Sequence, residues 1–179
     1  MRWLIFVVCF SVAADLGYPK QSVLGARFEE PSPRVKGMGL LQEATVPFHI
    51  VAWICDGQRT DEFYVAVRFE LAQGNYLYSL TQACDLATKL EVALDRNLII
   101  SGPFYSSAPP SSAHDAALDM TIEKHLGQIV FYVPIRCTGP VDRNRLLVPV
   151  RINGQVCSDA GACIPIRNHV IEARWQPVR

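Results

Sequence analysis

Between Asp61 and Leu71 the chain places an apolar side chain at every second position: Phe63, Val65, Val67, Phe69 and Leu71. Tyr64, Ala66, Arg68 and Glu70 occupy the positions between. A period of two puts the first set on one face of a pleated strand and the second on the other. A helix would scatter the same apolar set around its circumference, because its period is 3.6. A strand with one apolar face has to be paired and covered, so the rest of the chain must supply its partners.

Those partners are readable. Val46 to Cys55 is a mostly apolar run, and Asp56-Gly57-Gln58-Arg59 is the turn that makes it a hairpin with the alternating strand. Tyr76-Leu77-Tyr78 after Gly74 is a short strand; Lys89 to Leu94 is another, with Leu98 to Ile100 as its continuation. Gly102 to Ala113, with three prolines and four serines, reads as a loop. Gln128 to Cys137 alternates, with Ile129, Phe131, Val133 and Ile135 opposing Val130, Tyr132 and Pro134. Arg145 to Asn153 and His169 to Trp175 complete the set. Pro134 and Pro149 have no N–H to give a ladder, which places them at an edge or a bulge. About seven or eight short strands in roughly 130 residues, separated by turns and without a convincing helix, predict an all-β, immunoglobulin-like β-sandwich. At 179 residues the chain suits one such domain with a full core.

The N-terminus has a different character. Arg2 precedes an apolar stretch from Trp3 to Val12, and Val12-Ala13-Ala14 has the small residues of a cleavage site. This predicts a signal peptide over 1–14, since the stretch is too short to span a bilayer. Residues 15–45, rich in Pro, Gly and charge, predict an extended arm, and 46–179 the sandwich. The expected destination is the periplasm or another exported compartment, with a soluble mature chain. The formal net charge is zero, with no basic stripe, which argues against a nucleic-acid partner.

Export puts the cysteines where disulfides persist. Cys9 leaves with the signal, and Cys55, Cys84, Cys137, Cys157 and Cys163 remain, an odd set that implies a free or intermolecular thiol. Cys55 and Cys137 each end an expected strand and are a candidate bridge, leaving Cys84 unpaired.

The stretch that carries chemistry is Asn-Gly-Gln-Val-Cys-Ser-Asp-Ala-Gly-Ala-Cys-Ile-Pro, from Asn153 to Pro165. Asp159, Ala160 and Gly161 suit a tight reversal that brings Cys157 near Cys163. Spacing alone leaves two readings open, a structural staple and an exchanging bridge.

This segment resembles the active-site loop of the N-terminal periplasmic domain of DsbD, the bacterial transmembrane thiol:disulfide interchange protein; Gln155, Cys157, Asp159, Gly161, Cys163 and Pro165 fit. Gly74-Asn75-Tyr76-Leu77-Tyr78 is similar to that family's tyrosine-bearing segment, and His114-Asp115 ahead of Val133-Pro134-Ile135 matches in order. The resemblance runs from Pro47 to Trp175. It implies thiol–disulfide exchange, with Cys163 forming mixed disulfides and Cys157 resolving them. It also implies an active site lined by Tyr76, Tyr78 and Asp159, and capped near Ala116, Ala117 and Leu118. Leu118 stands where well-known members have a phenylalanine, the flanking acids of that cap are missing, and Pro165 is followed by Ile166. The implied partners are periplasmic thioredoxin-like or disulfide-isomerase-type proteins. Because the sequence ends at Arg179, the expectation is a stand-alone version with a separate membrane electron donor.

Arg167 and His169 lie near enough in sequence to influence a thiolate, although ordinary surface positions explain them better. Nothing in the sequence calls for an organic cofactor, and the cysteine spacing is poor for zinc. The remaining alternatives are a non-enzymatic binding module with a permanent Cys157–Cys163 bridge and, further off, a metal-handling protein.

Overall fold

The computed structural model describes residues 47–116 and 118–176. The expected signal segment and the arm at 15–45 lie outside the described residues, as does Ala117. The strands are β1 (Phe48–Asp56), β2 (Glu62–Leu71), β3 (Asn75–Tyr78), β4 (Lys89–Val92), β5 (Leu98–Ile100) and β6 (Tyr105–Ser106). They continue with β7 (Ser111–Asp115), β8 (Met120–Leu126), β9 (Gln128–Cys137), β10 (Leu147–Ser158) and β11 (Cys163–Trp175). Their order is β5-β9-β2-β1-β11-β10-β3-β8-β7, with β4 also on β10 and β6 also on β9.

The hydrogen-bonded path turns back on itself at β1 and β11, which pair in parallel only at Trp53↔Arg174 and Ile54↔Trp175. The β9-β2-β1 half thereby faces the β11-β10-β3 half, and the core lies between. Ile54, Val65, Val67, Phe69, Phe131 and Val133 come from one half; Leu77, Val148, Val150, Ile152 and Ala173 come from the other, all at 0% exposure. Each large aliphatic or aromatic member contributes about 1.5–3 kcal/mol on burial. Phe63, Val65, Val67, Phe69 and Leu71 all face this core, as the alternation requires. The architecture is an all-β, immunoglobulin-like sandwich.

Several local expectations give way. The run at 98–100 does not continue β4. Asp95 turns the chain, accepting from the Arg96 and Leu98 N–H groups, so that β4 lies on β10 and β5 on β9. The expected loop 102–113 holds β6 and the start of β7, and His114 and Asp115 belong to that strand. Strand β8 was not anticipated: its polar Thr121, Glu123 and Lys124 hide a period of two.

Both prolines sit where a donor is not needed. The Pro134 carbonyl accepts from Ser101, which places the ring nitrogen at the gap between β5 and β6. Pro149 accepts from Ala93, just past the end of β4. Each is an edge position produced by a short partner.

Cys55 and Cys137 do not pair; both are free thiols. Cys55 stands opposite Tyr64 on the outer face of β1, while Cys137 packs toward the core from β9, two strands away. Side chains on opposite faces cannot bridge without moving the backbone. Cys84 is the third free thiol, exposed in a short 3-10 turn at Cys84–Leu86. Among the described residues, no helix is long and apolar enough to cross a membrane.

Candidate functional site: a cross-strand cysteine pair

Strands β10 and β11 form one long hairpin, and Cys157 and Cys163 are directly opposite each other at its end. They form a disulfide with Cα atoms 4.0 Å apart. Ser158 to Ala162 close the turn: Ser158 N–H donates to the Ala162 carbonyl at 2.8 Å, and Gly161 N–H to the Ser158 carbonyl at 2.9 Å. Gly161 has φ +87°, which a residue without a Cβ adopts freely.

The facing of the two cysteines is decided farther down the hairpin. From Leu147↔Arg174 to Ile152↔His169 the ladder keeps one register; from Gly154↔Ile166 to Cys157↔Cys163 it keeps another. The extra residue is on β11, at Arg167-Asn168, where Asn168 has φ +49°. Its N–H donates to the Asn153 side chain at 2.8 Å. Had the first register continued, Ile164 would stand opposite Cys157. The bulge brings Cys163 there instead and turns it to the outer face of the sandwich, where the unbroken alternation of Val148, Val150, Ile152 and Val156 into the core already places Cys157.

The two sulfurs have unlike surroundings. Cys157 is at 0% exposure, while Cys163 is exposed. Cys157 belongs to a small apolar cluster, separate from the main core, with Tyr78 and Ile122; Tyr76, Leu86 and Met120 pack against it. Tyr76 is the neighbour of Cys157 across the ladder and itself faces Leu126. The Tyr76 and Tyr78 rings meet edge-on at 5.5 Å. Burial lifts the Tyr76 phenol to about 12, with help from Tyr78, Asp115 and Asp159, so it remains a neutral hydroxyl at ordinary pH.

Lys124 from β8 holds its Nζ 4.6 Å from the Tyr76 ring centroid and 3.9 Å from Asp159 Oδ1. The Asp159 N–H donates to the Gly74 carbonyl at 2.9 Å, which fastens the disulfide turn to the start of β3. Tyr76, Tyr78 and Asp159 therefore all gather around the cysteine pair.

Leu118 lies at the tip of the β7–β8 hairpin, 51% exposed, its N–H donating to Asp115 at 3.1 Å. Besides the tyrosines, the cluster that holds Cys157 contains Ile122, with Met120 and Leu86 packed against it, none of which the sequence reading singled out. The spacing of Met120, Ile122, Lys124 and Leu126 was the available signal. Asn168, a turn former inside a strand, was the signal for the bulge. His114 pairs at 3.8 Å with Asp119, and Arg167 and His169 are exposed on β11.

Among the described residues, no group of three or more His, Cys, Asp or Glu side chains is placed to hold a metal ion.

No protein-family model and no curated protein sequence matches the chain. Solved structures do. The N-terminal domain of DsbD from Neisseria meningitidis, in its reduced form, is 17% identical over 70% of this chain and 80% of that chain, with TM-score 0.44. The same domain in complex with the PilB N-terminal domain is 16% identical over 69% of this chain and 80% of that chain, with TM-score 0.45. The N-terminal periplasmic domain of ScsB from Proteus mirabilis is 15% identical over 74% of this chain and 47% of that chain, with TM-score 0.46. At such identities and TM-scores, what the cysteine pair does is argued from its own geometry.

Proposed function

We propose that this protein is an exported thiol–disulfide exchange module working through Cys157 and Cys163. One observation carries the reading: the two sulfurs of a single bridge differ, Cys163 exposed at a hairpin end and Cys157 buried beneath apolar side chains. A partner thiolate can reach only one of them. A staple would also accomplish little here, because the ladder already holds the two residues opposite each other and the closed loop is short.

The chemistry balances as an exchange. A partner thiolate attacks Cys163 Sγ, the Cys157–Cys163 bond breaks, and Cys157 leaves as a thiolate that takes up a proton. The second partner thiol, once deprotonated, attacks the partner's sulfur in the mixed disulfide and releases Cys163. Two electrons and two protons have then moved onto the pair, and the partner holds the disulfide. In reverse, the Cys163 thiolate attacks a partner disulfide, and Cys157 attacks Cys163 Sγ to free the reduced partner. The resemblance to the DsbD N-terminal domain gives Cys163 and Cys157 these same roles. It also points to thioredoxin-like or isomerase-type proteins in the periplasm as partners and to a separate membrane donor.

The test is the midpoint of the pair in graded thiol/disulfide buffers, read by thiol trapping and mass spectrometry. A value of roughly −120 to −270 mV is expected of an exchange protein; one below about −300 mV would mark a structural bridge and end the proposal. With the pair active, Cys157→Ala traps a partner as a mixed disulfide on Cys163, and Cys163→Ala does not.

A further inference from the structure

Between β3 and β4 the chain leaves the sheet for ten positions, 79–88, and returns to its starting point. The Thr88 N–H donates to the Ser79 carbonyl at 3.1 Å, and the Thr88 hydroxyl to the Tyr78 carbonyl at 2.5 Å. The first half of this excursion is tied to β8. Ser79 and Thr81 both donate to Glu123 Oε2, at 2.7 and 2.6 Å. Gln82 accepts from the Glu123 N–H at 2.5 Å and donates to the Thr121 carbonyl at 3.3 Å. Ser79, Gln82 and Thr88 are all at 5% exposure or less. The second half carries Leu86, which packs against the cluster that buries Cys157.

We propose that segment 79–88, latched to β8 through Glu123 and Gln82, is a cover over Cys157, and that Leu86 is a positioning residue controlling release of that sulfur. The inference rests on the reading of Cys157–Cys163 as an exchanging pair. Attack on Cys163 makes Cys157 the leaving group, and a thiolate leaves faster the lower its pKa. An apolar cover disfavours the thiolate. A closed segment therefore slows attack by any small thiol, and a partner that displaces Leu86 as it docks removes that barrier. Discrimination between a docked protein and a free small thiol then resides in 79–88 as well as in the β7–β8 hairpin.

The experiment is alkylation of the reduced, folded protein, followed cysteine by cysteine by mass spectrometry, in the native chain, Leu86→Ala and Glu123→Gln. Cys55, half-buried on the other outer face, is the internal control. Labelling of a covered thiol follows its local opening equilibrium, so Leu86→Ala is expected to speed Cys157 roughly tenfold while Cys163 and Cys55 keep their rates. Glu123→Gln, which leaves Leu86 intact, is expected to speed Cys157 by a smaller factor, about threefold. The rate of reduction of the bridge by a small thiol should rise in the same order. An unchanged Cys157 rate in a folded variant, or equal acceleration of Cys157 and Cys55, overturns the inference; should Leu86→Ala fail to fold, Glu123→Gln alone decides. Because alkylation needs no midpoint, a structural potential would defeat the proposed function while leaving the cover separately measured.

Discussion

The sandwich has two outer faces, and each sets a cysteine among tyrosines. On one, Cys157 lies beneath Tyr78 and beside Tyr76. On the other, Cys55 stands opposite Tyr64, whose ring lies 6.1 Å from Tyr105 and 6.0 Å from Tyr132, and Tyr105 stacks on Tyr132 at 5.2 Å. Only the first holds a disulfide. Cys55 has no second sulfur; burial, then the Asp56 carboxylate, push its thiol up to about 11, and its Sγ lies 3.9 Å from the Tyr64 carbonyl. Aromatic shielding is therefore common to a lone thiol and a bridged pair. What separates them is a cross-strand partner and one sulfur left in solvent.

The largest expected effect breaks the first face at its register. Deleting Ile164, between the bulge and the pair, puts Cys163 opposite Val156 and Ala162 opposite Cys157, and should abolish the bridge; non-reducing mass analysis after thiol trapping would then find both cysteines labelled. Retention of the bridge would show that the turn alone pairs them. At the bulge itself, Asn168→Gly should be nearly neutral, while Asn168→Val should cost about 1–2 kcal/mol in denaturant unfolding, because φ +49° is strained for a branched side chain.

The second effect sharpens the contrast in reactivity. Raising a thiol from 9.0 to about 11 leaves roughly a hundredfold less thiolate at neutral pH. In the reduced protein, Cys55 should thus alkylate about a hundredfold more slowly than an unshifted cysteine thiol, and Cys55→Ala should leave the midpoint of the pair where it was. A shift of that midpoint would mean that the two faces communicate.

A third prediction separates two apolar residues of the β7–β8 hairpin. Ile122→Ala, at 5% exposure over Cys157, should cost about 2–3 kcal/mol in unfolding, whereas Leu118→Ala should stay within about 0.5 kcal/mol. Equal costs would place Leu118 on the sulfurs after all.

The smallest effect is alkaline. The folded Cys55 binds its proton more tightly than the unfolded chain does, so its contribution is complete below pH 9.0 and lost as pH rises toward about 11. Melting temperature should fall across that window, and less steeply in Cys55→Ala. The fall persists in that variant, because burial also raises Cys137.

Much of this was legible along the chain. The alternation at 63–71 and 129–135 determined an all-β fold by itself, since a period of two has one way to bury its apolar side. The pairing of Cys157 with Cys163 was also within reach, because a short turn between two cysteines is a local matter. Strand β8 escaped notice: its outer face covers the site while its inner face carries the buried His125, so neither side reads as simply apolar.

Other features belong to the tertiary structure alone. That Cys55 and Cys137 stay apart depends on which faces β1 and β9 present, a consequence of long-range register. The shared outward direction of Cys157 and Cys163 depends on a bulge that takes one β11 residue at Asn168 out of the ladder, because a single-residue slip would reverse every side chain beyond it. The inequality of the two sulfurs depends on Leu86, Met120 and Ile122 arriving from distant positions to cover one and not the other. Sequence proximity could bring the cysteines together; only packing could make them different.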